Sequence, residues 1–168
     1  PSAPRGQMPD IEIQPLSARP EYIEICAAWW HRQWGAQMGF SLEGAVSAIE
    51  SLTVSNDRQA ALIGMIDGKP AGSVFLVNED LESHRHLQPW LAGLLVQPAF
   101  RGLGLGHRLA NALTAEAARL GHQRIYLYTS VGDFYRAIGW HSVEAVFVHG
   151  VPHEIMSIAP SPLSGKVP

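Results

Sequence analysis

The sequence predicts a single domain of the α/β (α+β) class. Short segments with alternating or continuous hydrophobicity are typical of strands, and three longer segments repeat apolar residues at helical spacing. Turns that contain glycine separate many of these segments. The predicted order is one strand, two helices, three strands, a helix, a strand, a short helix and two strands. A chain of 168 residues is long enough to bury one core of this kind.

The N-terminal half begins with a predicted strand over residues 11–16, where apolar and polar residues alternate. A helix from Glu21 carries two adjacent apolar stripes. We expect one stripe to face the core and the other to line a pocket or meet a second helix. Ser41 is a predicted N-cap for a helix over residues 42–52. Asp67-Gly68 predicts the tight turn of a hairpin between the two strands that follow.

The C-terminal half begins with a continuous apolar run, Trp90–Val96, which predicts a strand buried on both faces. Gly93 inside it predicts a bulge. A helix is expected from Leu105, with Gly121 as its C-terminal cap. The rest of the chain predicts a strand over 124–129, a short helix over 132–139, and a closing hairpin of residues 140–148 and 153–158 joined through 149–152.

Composition argues against several classes of protein. The 46% of hydrophobic and 16% of charged residues are typical of a globular domain, and the net charge of −3 argues against nucleic-acid binding. The sequence contains neither a membrane-spanning run nor a signal-peptide pattern, so we expect a cytoplasmic protein with no membrane partner. Cys26 is expected to be a small buried apolar residue. Residues 1–9 and 160–168 are rich in Pro, Ser and Gly, which predicts flexible tails.

A glycine-rich segment, residues 101–106, lies between the apolar run and the next predicted helix. His107 and Leu109 stand where a dinucleotide-binding fingerprint needs its third glycine, which argues against a nicotinamide oxidoreductase. No nucleoside-triphosphate loop occurs either. Backbone N–H groups at a helix N-terminus suit a pyrophosphate, and glycines would let its oxygens approach. Taken alone, the segment fits a simple strand-to-helix turn equally well.

Two motifs resemble those of the GCN5-related N-acetyltransferase (GNAT) family. Its acetyl-coenzyme A loop, R/Q-x-x-G-x-G/A, follows a strand that ends in V-x-P, and here Val96-Gln97-Pro98 precedes the run that begins at Arg101-Gly102. Its aromatic-Tyr pair before Gly-Phe is similar to Phe134-Tyr135 and Gly139-Trp140. The resemblance implies an acyl-CoA N-acyltransferase fold over residues 10–159. That fold is a mixed, strongly bent sheet of about six to seven strands, flanked by about four helices.

The resemblance also implies acetyl-coenzyme A (acetyl-CoA) as the acetyl donor. Its pantetheine arm would pair with the backbone of the strand before the glycine loop, where that strand splays from its neighbour. Its pyrophosphate would lie on the loop itself. The implied cofactor-binding residues are Leu94, Leu95, Val96, Arg101, Gly102, Leu103, Gly104, Leu105, Gly106, His107 and Tyr135.

Acetyl transfer to an amine needs a base, donors for the developing oxyanion and an acid for the departing thiolate. We expect the backbone N–H near Leu95 to be the oxyanion donor and Tyr135 to be the acid. The strand before the loop lacks the glutamate that many family members carry there. Asp80 is the first candidate for the base, because it follows a strand closely enough to reach the central cleft. Further candidates are Glu79, Glu82, His84, His86 and His31.

Aromatic residues lie where the family places its acceptor-binding lid, and an aromatic wall can hold a cation. These residues are Trp29, Trp30, Trp34 and Phe40, of which we expect at least half to pack in the core. We expect no metal, because the pairs His84-x-His86 and His149-x-x-x-His153 lack the further ligands of a four-ligand site.

Two functions remain open on this reasoning. The first is an enzyme that transfers acetyl from acetyl-CoA to a primary amine of a small molecule or a protein terminus, by direct attack in a ternary complex. The second is a catalytically silent acyl-CoA sensor or interaction module, which the missing strand glutamate permits. The closing hairpin offers an edge through which two copies could pair, so a homodimer is open as well.

Overall fold

The computed structural model describes residues 8–54 and 58–161. Within them, seven strands and four α-helices alternate in the order that the sequence predicted. The strands are β1 (Ile11–Pro15), β2 (Ala60–Ile66), β3 (Lys69–Val77), β4 (Trp90–Val96), β5 (Ile125–Thr129), β6 (His141–Val148) and β7 (Val151–Ile158). The helices are α1 (Ile23–Trp30), α2 (Leu42–Val54), α3 (Leu105–Arg119) and α4 (Gly132–Arg136). The predicted tails fall mostly on residues 1–7 and 162–168, which lie outside the described part of the chain.

The strands form one mixed sheet in the order β1-β2-β3-β4-β5-β7-β6. All neighbours are antiparallel except β4 and β5, which run parallel. The predicted turn at Asp67-Gly68 joins β2 to β3, and both residues have positive φ angles, 49° and 76°. The predicted mixed sheet with flanking helices is confirmed.

The sheet splits between β4 and β5. In the described residues a single pair, Trp90 with Tyr126, holds these two strands together. The predicted bulge lies beside that point, because Gly93 and Leu94 together stand opposite Val74 on β3. Gly93 has a φ of 62°, and a Cβ there would lie 2.4 Å from the Phe75 ring. Glycine is therefore required where the strand bends away from its parallel neighbour.

Two core clusters lie on opposite faces of the sheet, as the alternation along β2 shows. Leu62 packs in the cluster that includes α3, whereas Ile63 packs in the cluster that includes α1 and α2. Cys26 belongs to the second cluster, and burial raises the pKa of its thiol to about 12. A thiol of this kind stays protonated, in agreement with the predicted role as a buried apolar residue.

Local signals placed most element ends correctly. The Ser41 Oγ accepts a 3.0 Å hydrogen bond from the N–H of Gly44, which caps α2, and Gly121 ends α3 with a φ of 88°. The closing hairpin differs from its prediction. His149 and Gly150 have φ angles of 50° and 76° and form a two-residue turn, so the next two residues already belong to β7. In the described part of the chain, no helix has the length and apolar character needed to cross a bilayer.

Candidate active site

The glycine loop between β4 and α3 forms an open cradle. Gly102 and Gly104 have φ angles of 80° and 84°, and a Cβ at either position would meet nothing within 4 Å. These glycines are therefore needed for the left-handed backbone, and the outer side of the loop stays free. Gly104 directly precedes α3, whose first N–H groups have no partner within the helix. The loop and the helix N-terminus together fit an anionic group.

Gly106 has a different role from the other two glycines. A Cβ at this position would lie 3.0 Å from the Phe134 ring, so the helix start packs directly on α4. His107 reinforces the contact, because its Nε2 lies 2.9 Å from the Phe134 carbonyl oxygen and its ring centroid lies 4.2 Å from that of Phe134. The expectation that all three glycines make room for phosphate is thus corrected. The two sequence motifs touch each other in space.

Side chains of the loop anchor it to the rest of the fold. Arg101 donates from Nε to the carbonyl oxygen of Val96 at 3.1 Å, which holds the loop against the end of β4. Leu105 is buried in the core and has only its backbone available to a ligand, whereas Leu103 is 44% exposed. Arg101 and Leu103 are therefore exposed on the loop, whereas Leu105 anchors it in the core.

A cavity of about 410 Å³ opens where β4 and β5 separate, and we call it the split cavity. Its walls come from the end of α1 and the turn after it, from the loop after β3, and from β4, β5, α4 and β7. The lining includes Trp30, Trp34, Asp80, Ala92, Gly93, Leu94, Tyr128, Tyr135 and His153. Segments far apart in the sequence therefore meet at the split.

Tyr135 reaches the split cavity from α4 and is 8% exposed. Its ring makes edge contacts with Phe134 and Trp140, at centroid distances of 4.9 and 6.0 Å. Burial raises the pKa of Tyr135 to about 12, so its hydroxyl is protonated at neutral pH. Arg136 fixes the short helix by pairing with Asp133 and with Glu154 on β7.

Asp80 faces the same cavity from the loop after β3. The Asp80 residue is exposed toward the cavity. The surrounding protein atoms still remove part of the water around its carboxyl group, and this desolvation raises the pKa of Asp80 to about 7. Tyr128 lies close enough to respond: its own desolvation and then the charge of Asp80 raise the pKa of Tyr128 to about 12. Asp80 therefore changes its protonation near neutral pH.

The N–H of Leu95 on β4 does not point into the split, although the sequence led us to expect this. Leu95 pairs with Ser73 on β3, and two residues on, Gln97 donates its N–H to the carbonyl of Ala71 at 2.8 Å. Because hydrogen bonding alternates along an antiparallel pair, the N–H of Leu95 also points toward β3. This corrects the expected oxyanion donor. Val96 alternates away from β3, toward the split.

The remaining base candidates are engaged elsewhere. His84 lies 2.7 Å from Glu144 on β6 through its Nε2 and stacks on His86. His31 lies 2.8 Å from the Phe40 carbonyl oxygen through its Nε2. Glu79 and Glu82 are near the guanidinium of Arg85. Of these candidates and Asp80, only Asp80 is among the described residues that line the split cavity.

The four aromatic residues expected at the acceptor site divide into two groups. Trp30 and Trp34 line the split cavity, and Phe40 meets the Trp30 ring edge-on at 5.3 Å. Trp29 is 6% exposed and packs with the core cluster of α1 and α2. Trp29 is therefore corrected to a core residue. The sequence predicted that at least half of the four would pack in the core, but only Trp29 is fully buried there, with Trp30 partly buried against the same cluster.

Sequence reasoning missed the contribution of β5 and β7. Tyr128 lines the split cavity, and the alternation of burial along β5 was the available signal for its orientation. His153 has its Nδ1 2.9 Å from the Val151 carbonyl oxygen. A carbonyl only accepts, so Nδ1 carries hydrogen and, in the neutral ring, Nε2 keeps its lone pair. His153 appeared in the sequence only as a discarded metal ligand.

The comparisons with known proteins agree with the two motifs. The model of the acetyltransferase (GNAT) family matches residues 20–142. The chain belongs to this family. It is a GNAT N-acetyltransferase, as the resemblance implied, with the acyl-CoA N-acyltransferase fold. In the described residues, no group of three or more His, Cys, Asp or Glu side chains is placed to hold a metal ion.

Solved structures share the GNAT fold over almost their whole length. An aminoglycoside 6′-N-acetyltransferase in complex with coenzyme A is 17% identical, with a TM-score of 0.71 over 90% of this chain and 98% of its own. A GCN5-related N-acetyltransferase from Kribbella flavida is 18% identical, with a TM-score of 0.70 over 89% and 97%. YncA from Salmonella typhimurium, with acetyl-CoA, is 15% identical, with a TM-score of 0.66 over 93% and 97%. No curated protein matches the chain in sequence.

Proposed function

We propose that this GNAT protein transfers the acetyl group of acetyl-CoA to a primary amine of a small molecule or a peptide terminus, by direct attack in a ternary complex. One observation carries the proposal. Asp80, with a pKa near 7, and Tyr135, with a protonated phenol, line a single cavity where β4 and β5 separate. A cleft that contains two groups with well separated pKa values, one able to act as a base and the other as an acid, suits amine acetylation.

The donor would lie along the split and the glycine loop. The pyrophosphate would lie on the N–H groups of residues 102–107, and the pantetheine arm along residues 94–96. The open side of Gly102 and Gly104 and the free N–H groups at the start of α3 support this placement. The split supports it as well, because β4 has unpaired backbone groups on its β5 side beyond Trp90.

The acceptor amine must lose a proton before it attacks, since alkyl ammonium groups titrate near pH 10.4, like lysine. In our proposal Asp80 takes that proton, directly or through water. The amine nitrogen then bonds to the carbonyl carbon, and the carbon–sulfur bond breaks. In our proposal the N–H of Leu94, which lies in the bulge and lines the split cavity, stabilises the developing oxyanion. Tyr135 gives its proton to the departing thiolate, and the nitrogen loses its second proton through water to the Tyr135 phenolate, which leaves a neutral amide and a neutral tyrosine.

Cationic acceptors fit the electrostatics of the site. Asp80 supplies a negative charge at neutral pH, and the rings of Trp30 and Trp34 can face an ammonium group. One of the similar structures is named as an aminoglycoside 6′-N-acetyltransferase, whose name gives an amine acceptor. This supports the class of acceptor and leaves its identity open.

Other properties stay predictions. We propose a cytoplasmic location and no nucleic-acid or membrane partner, as the composition indicates. A homodimer would use the edge strand β6, where Val143 is 52% and Phe147 is 77% exposed.

Release of coenzyme A thiol over a panel of primary amines tests the proposal, together with Tyr135→Phe. We expect turnover with at least one amine, and a fall in kcat of about tenfold to a hundredfold in the variant. Affinity for coenzyme A should change little, because Phe keeps the packing of the ring. Tyr126→Phe, on β5 but outside the split cavity, is the matched control and should behave as the wild type. Cofactor binding without turnover on any amine would instead favour an acyl-CoA sensor.

A further inference from the structure

A second cavity of about 530 Å³ lies next to the split cavity, and we call it the side chamber. It is enclosed by α2, the segment after α1, the end of β3 and the loop that follows it. The two cavities meet at shared side chains, and these are Trp30, Met38, Asp80 and Ala92. Each volume lies within the range of roughly 300–1,000 Å³ that small-molecule sites occupy.

Two walls of the side chamber are apolar, and Ser51 and Gln59 add polar groups elsewhere in the lining. Phe40 and Ile49 form the side made by the helices, and Phe75 and Val77 form the side made by β3. Charged groups lie on the loop after β3, where Arg85 is 3.8 Å from Glu79 and 4.0 Å from Glu82. Together with Asp80, these acids outnumber the arginine. The chamber therefore has apolar surface on α2 and β3 and a net negative charge on the loop after β3.

We infer that the acceptor is a primary amine with an extended apolar body, whose nitrogen lies at Asp80 and whose body fills the side chamber. This inference rests on the proposed acetyl transfer. A polyhydroxylated acceptor such as an aminosugar would leave hydroxyl groups without partners against Phe40 and Ile49, which costs binding energy. An apolar body loses nothing there and gains from leaving water.

Ala48 gives a way to close the side chamber alone. It lies on the exposed side of α2, borders the side chamber and is not among the residues of the split cavity. Ala48→Trp should fill the chamber and leave Asp80 and Tyr135 in place. Ser47→Trp is the matched control, because Ser47 is the neighbouring exposed residue of α2 and borders a different groove, with Glu24. Ala48→Met fills less volume and guards against misfolding of the Trp variant.

The experiment measures acetylation of straight-chain primary amines from propylamine to octylamine. For the wild type, kcat/KM should rise about threefold to fourfold for each added methylene, the gain expected for burying that group. Ala48→Trp should abolish the rise and leave propylamine unaffected, Ala48→Met should shorten it, and Ser47→Trp should preserve it. A flat wild-type series, or an equal loss for short and long amines in Ala48→Trp, would overturn the inference.

Binding of the same amines, measured by calorimetry with coenzyme A present, separates this inference from the proposed function. If no amine is acetylated but affinity rises with chain length and falls in Ala48→Trp, the side chamber binds apolar bodies and the proposed reaction is wrong. If amines are acetylated with no dependence on chain length, the reaction stands and the side chamber is not the acceptor site.

Discussion

The two halves of the candidate active site are built in different ways. The proposed donor half comes from one stretch of the chain, the end of β4 (residues 94–96) and residues 101–107, which offers main-chain N–H groups and glycines at the start of α3. The acceptor half is assembled from side chains such as Trp30, Asp80, Tyr128 and His153, each from a different element. A constant cofactor can be held by backbone, whereas a varied acceptor needs side chains that can change.

Because of this difference, substitutions should have different effects in the two halves. In the donor half the backbone conformation itself is the functional feature, so a substitution acts through φ and through stability. In the acceptor half the side chain is the functional feature, so a substitution can remove chemistry and keep the fold. Three measurements test this contrast.

The largest effect is expected from Asp80→Asn, which keeps the shape of the side chain and removes its charge. We expect kcat/KM to fall about a hundredfold to a thousandfold, the usual contribution of a general base. The base must be deprotonated, so the wild-type rate should rise with pH through about 7. This inflection should be missing in the variant. A pH–rate profile of both proteins gives the result.

Asp10→Asn is the matched control for that substitution, because Asp10 is an exposed aspartate just before β1 that lines neither cavity. It should stay within about twofold of the wild type, the range of an ordinary surface change. An unchanged inflection in Asp80→Asn would show that Asp80 is not the base, and His153, which also lines the split cavity, would be substituted next.

An intermediate effect is expected from Gly104→Val in the donor half. A β-branched residue at a φ of 84° is strained, and a cost of roughly 1–2 kcal/mol corresponds to about a tenfold weaker affinity for coenzyme A. Gly68→Val imposes similar strain at a φ of 76° in the β2–β3 turn. It should lower thermal stability in the same way and leave coenzyme A affinity unchanged. Equal losses of affinity in both variants would mean that the loop acts only through global stability.

The smallest effect concerns thermal stability. Gly104→Val in the donor half should lower it, whereas Asp80→Asn in the acceptor half should raise it. The pKa of Asp80 is raised from 3.8 to about 7 in the folded protein, so the native state holds this proton more tightly than the unfolded chain does. The stabilisation is present at low pH and is lost as pH rises through 7. Because Asp80 is exposed and solvent screens its charge, only a small part of this shift should appear as stability, so Asp80→Asn should raise Tm by about 2–4 °C at pH 8 and by much less at pH 4. A lower Tm at pH 8 would show that the carboxylate stabilises the fold.

For the proposed donor half, the sequence predicted a glycine loop between a strand and a helix, and the structure has this loop between β4 and α3. That the loop holds acetyl-CoA stays a prediction. Its residues are contiguous, the glycine spacing excluded other phosphate loops, and Gly93 marked the bulge beside the split. The strands and helices were also predictable, because hydrophobic period and turn residues act over short distances. The error at the closing hairpin came from Pro152, which is tolerated inside β7. Its position lies beyond the five residues of β7 that pair with β5.

The acceptor half was predictable only in part, because no short-range pattern reports which side chains meet across the split. Asp80 was the first candidate for the base because of its position after a strand, and His84 and His86 were further candidates from the same loop. The structure shows that His84 is paired with Glu144 on the distant β6, which the sequence could not indicate. His153 could not be selected at all, since its place depends on the antiparallel register of β7 with β5. The orientation of the Leu95 amide likewise follows from pairing with β3 and not from the residue itself.

The contact of Gly106 and His107 with Phe134 limits how this protein could be recombined with others of its fold. A glycine loop transplanted from another enzyme brings its own residue to position 106. An alanine there would put its Cβ against the ring of Phe134, one residue before Tyr135, whereas a glycine would not. A chimaera that receives a loop with alanine at this position would therefore disturb the proposed acid at a distance. The glycine loop and α4 therefore have to be exchanged together, although they are two separate motifs in the sequence.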